Sequence, residues 1–124
     1  MVLVDTSVWI QHFRTGETRL GELLSEGLVL MHPFVLGELA CGNLKNRTAI
    51  LRNLEVLPTV ASATHAETLD LIQNRKLWGQ GIGWVDAHLL ASALLSNCGL
   101  WTLDERLKRL AGDSGVKPNT ASRG

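Results

Sequence analysis

The sequence carries no net charge: twelve Lys and Arg balance twelve Asp and Glu over 124 residues. That argues against a protein that coats nucleic acid through bulk charge, although it leaves room for a local basic rim around an acidic site. Cysteine is scarce. Cys41 and Cys98 form no Cys-x-x-Cys pair and have no His at zinc-finger spacing, so a structural zinc site is not expected. Both lie within apolar helical patterns, which predicts buried free thiols and suits a reducing cytoplasmic setting. No apolar run approaches the ~18 residues needed to span a membrane. The one N-terminal apolar run is cut by Asp5 and has no basic residues before it, so no secretion signal is expected. There is no internal repeat and no linker. The expectation is a single domain over residues 1–124, long enough to bury a core without disulfide staples. Apolar content of 45% and charged content of 19% fit an ordinary globular chain.

What is present is organised around the first ten residues. Val2-Leu3-Val4 is a short apolar run that stops at Asp5, as a strand buried on both faces would. Thr6 or Ser7 can cap a helix starting near Val8, and Asp5 is itself a favoured cap residue. Leu28–Met31 and Leu100–Thr102 are two further apolar runs read as strands. Between them the apolar spacing predicts helices over 17–26, 34–41, 46–54, 65–78 and 84–97, with a short basic helix over 105–111. Val56-Leu57-Pro58 is either an edge strand or a connector. Gly112–Gly124, rich in Gly, Ser, Pro and Asn, is expected to be an irregular tail. Strands alternating with helices predict α/β architecture with a mainly parallel sheet and helices on both faces.

Four acids stand apart from solvated charge runs. Asp5 and Asp104 follow apolar strands, and in a parallel sheet both strand ends point to the edge where ligands bind. Asp86 lies in the first turn of the most apolar helix, and Glu38 is flanked by Leu36 and Leu39. Each alone can be a cap, a surface residue or a helix-dipole partner. Clustered carboxylates repel one another unless a cation neutralises them. Hard divalent ions with oxygen ligands do so, and Mg²⁺ keeps several waters free to meet a phosphate. Two ions about 4 Å apart can hold the attacking and leaving oxygens of a phosphodiester displacement.

The residues around these acids carry a family resemblance. Leu3-Val4-Asp5-Thr6-Ser7-Val8-Trp9-Ile10 resembles the opening of PIN domains, above all the VapC-type toxins of bacterial toxin–antitoxin pairs. Val35–Gly42, Val85–Ala93 and Leu100–Leu107 resemble the family's second, third and fourth motifs, in the family's order. The resemblance implies a three-layer α/β/α sandwich with a mainly parallel central sheet. It implies a Mg²⁺- or Mn²⁺-dependent endoribonuclease with Asp5, Glu38, Asp86 and Asp104 as the acidic cluster. Asp5 and Asp86 would touch the ion directly; Glu38 and Asp104 would act through water or complete a second ion site. Thr6 and Thr102 would orient carboxylates or water by hydrogen bonds. It also implies an RNA substrate, a cognate VapB-type antitoxin laid over the apolar groove around the first helices, and a homodimer. Val116-Lys117-Pro118 matches the family's last strand poorly, because proline cannot donate to a ladder.

Outside the motifs, Arg106, Lys108 and Arg109 are the densest basic group, a solvated helix face or a set of RNA phosphate contacts. Lys45, Arg47 and Arg52 form a second candidate rim. His88 sits two residues after Asp86 and points elsewhere on the helix; His12, His32 and His65 have no ligand pattern. Trp9 and Trp101 adjoin strands and belong to the core, whereas Trp84, beside Gly79, Gly81 and Gly83, is the candidate for base stacking. Those glycines lack the following Gly-Lys-Ser/Thr of a phosphate loop. Two alternatives stay open at this point. One is a receiver-like or phosphatase domain phosphorylated on Asp5, in which Ser7 replaces the second Asp of haloacid-dehalogenase phosphatases. The other is a PIN-like interaction module without catalysis.

Overall fold

The computed structural model describes residues 1–118. Three short parallel strands form its centre: β1 (Val2–Val4), β2 (Val29–Leu30) and β3 (Gly99–Trp101), in the order β2-β1-β3. Leu3 pairs with Leu30 on one side and Leu100 on the other. Seven helices surround them: α1 (Thr6–Thr15), α2 (Thr18–Ser25), α3 (Pro33–Ala40), α4 (Arg47–Glu55), α5 (His65–Asn74), α6 (Trp84–Ser96) and α7 (Glu105–Asp113). The architecture is a three-layer α/β/α sandwich.

The middle strand explains its own composition. Val2, Leu3 and Val4 are all buried, since helices cover both faces of β1 and no polar alternation is required. Each such side chain contributes about 1.5–3 kcal/mol by leaving water. In α6 every residue from Ala87 to Ala93 is buried, including His88 and Ser92. Ser92 Oγ accepts from the Ala63 N–H at 2.9 Å and Ser96 Oγ from the Ala61 N–H at 2.9 Å, which ties the strand-like segment before α5 to the central helix.

The sheet reaches slightly further on both sides. Met31 bridges Thr59 in parallel: its N–H donates to Pro58 O at 2.8 Å, and Val60 N–H donates to Met31 O at 3.0 Å. Pro58 therefore serves as an acceptor only, the one ladder role a proline can fill. On the other side Leu100 N–H donates to Lys117 O at 2.9 Å, and Val116 is buried in the core. The tail expected from Gly112 is thus helical through Asp113 and packed at Val116; its last part, residues 119–124, lies outside the described residues.

Other boundaries differ for local reasons. The first helix begins at Thr6, not near Val8, because Asp5 is the cap. The fifth stops at Asn74, four residues early, where Lys76 adopts a left-handed φ of 54°. Cys41, expected to be buried, ends α3 as an exposed thiol, and Cys98 is half-buried.

Candidate active site

Parallel pairing brings the carboxyl ends of the strands to one edge. Asp5 follows β1 there, Thr102 and Asp104 follow β3, and α1, α3 and α7 begin there. The crossover into β3 makes α6 run antiparallel to the strands, so Asp86 in its first turn returns to the same edge.

Asp5 is 7% exposed, and both of its carboxylate oxygens accept hydrogen bonds. Its N–H extends the ladder to Trp101 O at 2.9 Å. Oδ1 accepts from the Thr6 N–H at 2.7 Å and caps α1; Oδ2 accepts from Thr102 Oγ1 at 2.7 Å and Ser7 Oγ at 3.0 Å. Both hydroxyls act twice. Thr102 Oγ1 accepts from the Asp104 N–H at 3.0 Å, and Ser7 Oγ accepts from the Leu103 N–H at 3.1 Å. A buried carboxylate is costly unless hydrogen-bonded, and these donors offset that cost while fixing the rotamer.

The other three acids approach from separate helices. Glu38, exposed on α3, accepts from Thr6 Oγ1 at 2.7 Å through Oε1. Asp104 caps α7: its Oδ1 accepts from the N–H groups of Arg106 at 2.9 Å and Leu107 at 3.0 Å. Asp86 is half-buried, and its Oδ2 accepts from the Gly83 N–H at 3.4 Å. Burial holds the Asp86 carboxyl above the usual carboxylate range; the charges of Asp5, Asp104 and Glu38 push it the same way, and the Gly83 N–H opposes them. Asp86 thus faces the charge of all three acids, the most distant in sequence, Asp5, being 81 residues away.

The PIN-domain family model matches residues 2–113, which include all four acids. The chain belongs to the PIN-domain family. Two curated relatives, both named Ribonuclease VapC32, come from Mycobacterium tuberculosis strains CDC 1551 / Oshkosh and ATCC 25618 / H37Rv. Each is 49% identical over 117 residues, covering 94% of this chain and 94% of the relative. Within the family the chain is therefore of the VapC type, and the receiver-like and phosphatase alternatives fall away.

PIN domains imply a divalent ion, and the donor set here suits a hard one. The candidates are carboxylate oxygens, and three of the four histidines use Nδ1 in hydrogen bonds to other groups, while His65 packs against Trp84. His88 Nδ1 lies 3.2 Å from Thr68 Oγ1, His32 Nδ1 accepts from the Phe34 N–H at 2.9 Å, and His12 Nδ1 accepts from the Glu17 N–H at 3.0 Å. Among the described residues no three Asp, Glu, His or Cys side chains are drawn tightly enough together to enclose an ion unaided. A Mg²⁺ ion would need only one or two of these carboxylates and would complete its shell with water.

Around the PIN-domain acids the basic residues have distinct surroundings. Arg106 runs along the glycine loop before α6: a Cβ added at Gly81 would meet its Cδ at 2.7 Å and its Nε and Nη1 at 3.0 Å. The stem of Arg106 is thereby laid against the loop that leads to Asp86. Lys108 pairs with Glu105 at 3.4 Å, and Arg109 is exposed. Arg47 donates to Ala40 O at 2.7 Å and so closes α3 onto α4. Trp9 is in the core, stacked on Phe13; Trp101 is half-buried, and Trp78 and Trp84 are exposed. Ser7 is the contact that the sequence reading missed. Its only signal was a second hydroxyl directly after Asp5-Thr6.

Proposed function

We propose that this protein is a Mg²⁺- or Mn²⁺-dependent endoribonuclease toxin. The observation that carries the reading is the hydrogen-bonded linkage of three acids at one sheet edge, Thr6 on α1 holding Glu38 while Thr102 holds Asp5 and the Asp104 amide, with the buried Asp86 carboxyl facing their charge. Four acids from four segments crowd a single sheet edge, an arrangement that costs stability without a cation and serves phosphodiester chemistry with one. The 49% identity to proteins named as ribonucleases gives the substrate class.

Asp5 and Asp86 would hold the ion directly, and Glu38 and Asp104 through water. When bound, such an ion supplies Lewis acidity and a water of lowered pKa. The chain's own groups do the rest. Thr102 and Ser7 hold Asp5 Oδ2 while the Thr6 N–H holds Oδ1, and the Thr6 hydroxyl fixes the Glu38 rotamer from the first turn of α1. Arg106, backed by Gly81, with Arg109 one turn on along the same side of α7 and Lys108 on a different side, would meet RNA phosphates and draw the strand to an otherwise acidic edge.

The regulating partner in this reading is a VapB-type antitoxin. A groove of about 710 Å³ runs between α1, α3 and α4, lined by Ile10, Phe13, Leu39 and Ile50, with Glu38 also on its wall. An apolar segment seated there would reach the acids with a basic side chain. We place the protein in the cytoplasm and expect a homodimer; no helix among the described residues is long and apolar enough to cross a membrane.

The test is to map RNA ends after incubation with the purified wild type and with Asp86→Asn, each with Mg²⁺, Mn²⁺ or a chelator. Cuts that require metal and vanish in Asp86→Asn support the reading. Cuts shared by both proteins overturn it.

A further inference from the structure

Beside the acids lies a second group of side chains that the hydrolytic chemistry does not use. The His88 ring packs edge-on against Phe34 (centroids 4.7 Å apart, planes at 66°) and against Trp84 (4.5 Å, 87°). His65 meets the far side of this group through Trp84 at 4.9 Å. Thr68, fully buried, holds His88 Nδ1 at 3.2 Å, so the ring between the two larger aromatics is fixed from below. His88 is 5% exposed, whereas Phe34 and Trp84 keep 39% and 38% of their surfaces in water. Rings placed for core packing alone would be covered. These are braced on one side and open on the other.

Their position relative to the acids suggests an occupant. Phe34 precedes Glu38 by four residues on α3, so the two lie one above the other on the same helix face. Trp84 precedes Asp86 in the first turn of α6. Trp84 shares its helix face with His88 and not with Asp86, so the open rings stand at the N-terminal ends of the two helices that deliver Glu38 and Asp86, at the same edge of the sheet. On the reading that this edge hydrolyses RNA, we propose that Trp84 and Phe34 form a base-stacking subsite for one unpaired nucleotide next to the scissile phosphate. Aromatic faces accept any base, but only one that has left its helical stack. Held rings lose little freedom on binding, which favours such a contact. The subsite selects single-stranded RNA over duplex, and it contributes to binding independently of the metal.

The test uses Asp86→Asn, which binds RNA without cutting it, and a labelled single-stranded oligoribonucleotide read by fluorescence anisotropy. Trp84→Ala added to it should weaken binding roughly five- to 150-fold. Trp84→Phe should recover most of the loss. Trp84→Leu, which keeps apolar volume but no aromatic face, should not, and its melting curve guards against simple misfolding. A series of probes with one abasic position walked along the strand should reveal a position where the missing base weakens binding to Asp86→Asn but has no further effect once Trp84 is Leu. Equal losses in both backgrounds overturn the subsite, as does a Trp84→Leu enzyme that cleaves the same sites with unchanged kcat and KM while wild-type cleavage stands. A change in elution volume with RNA binding intact also overturns it and makes the patch a self-association surface. If the abasic effect appears but the wild type never cleaves RNA, the subsite stands and the hydrolytic reading falls.

Discussion

The Thr102 hydroxyl is the most informative atom to remove. Thr102 is 1% exposed, and its Oγ1 donates to Asp5 Oδ2 at 2.7 Å while accepting from the Asp104 N–H at 3.0 Å. Thr102→Val keeps the volume and loses both bonds. A hydrogen bond to a charged group contributes about 1.5–3 kcal/mol, and an amide left unpaired costs about 1–3 kcal/mol. Ser7 still serves Oδ2, and the Asp104 amide is only partly buried, so the expected loss is near the lower end, about 3 kcal/mol. For a chain of 124 residues each kcal/mol moves Tm by about 4 °C, so the valine variant should melt about 12 °C lower. Thr102→Ser retains the hydroxyl and loses one methyl, about 1 kcal/mol or about 4 °C. Cleavage should separate the two more sharply. Valine frees the Asp5 carboxylate to rotate, and an error of about 1 Å at a reacting centre costs on the order of 100-fold in rate, whereas serine should stay within a few-fold of wild type. The assays are thermal melts by circular dichroism and initial rates of RNA cleavage at saturating Mg²⁺. A valine variant that melts within about 2 °C of wild type and cleaves normally would refute the view that this hydroxyl aims Asp5.

Three further outcomes are expected. Asp86→Asn should raise Tm in chelator, because the native Asp86 carboxyl is held above its ordinary range and its ionised form therefore weighs against the fold at neutral pH. Mg²⁺ at about 100 times its Kd should stabilise the wild type by about 2.7 kcal/mol and the variant by clearly less; a variant that melts lower in chelator contradicts the crowding. His32 is held down to about 4 by burial and then by His88, so the unfolded chain takes up a proton between pH 6.5 and 4 that the native protein refuses. Stability is complete above pH 6.5 on this account and falls through that window; denaturant melts of His32→Asn, which can still cap α3, should fall less steeply there, and parallel profiles would clear His32 of the effect. Arg106→Met keeps the stem against Gly81 but removes the charge, so the slope of log K against log salt for single-stranded RNA should drop by about 0.7, and an unchanged slope would mean that Arg106 meets no phosphate.

Much of the fold was legible because burial dictates composition. Val2–Val4 read as a strand covered on both faces, and Ala87–Ala93 as a helix enclosed on nearly every side. The shared edge of Asp5 and Asp104 followed from parallel topology alone. What could not be read depended on contacts distant in sequence or on backbone details with no compositional sign. The Thr102–Asp5 bond joins residues 97 apart, and the bridge from Met31 to Thr59 lies just after Val56-Leu57-Pro58, a segment whose composition left edge strand and connector equally open. Lys76 ends α5 through a left-handed φ that periodicity does not predict, and Cys41 looked buried because its helix is apolar although its own position faces water. The glycine loop was dismissed as a phosphate loop for sound reasons, yet Gly81 has a use that only the approach of Arg106 exposes.

The competing readings of the acids, helix cap or ligand, turn out not to exclude each other. Asp5 caps α1 with Oδ1 and offers Oδ2 to the two hydroxyls; Asp104 caps α7 with Oδ1 alone, and among the described residues its Oδ2 has no hydrogen-bond partner. A carboxylate has about four acceptor sites, and a cap consumes one or two of them. Capping places the group at a helix N-terminus, where the dipole favours negative charge, and so offsets part of the repulsion among neighbouring acids. The same geometry that makes each aspartate look ordinary in isolation is what helps three of them to share one edge; Glu38, near the C-terminal end of α3, relies on the Thr6 hydroxyl instead. It follows that Asn at positions 5 and 104 tests the charge, because Asn still caps, whereas Ala removes cap and charge together. Ala data alone would confuse a damaged helix with a lost ligand.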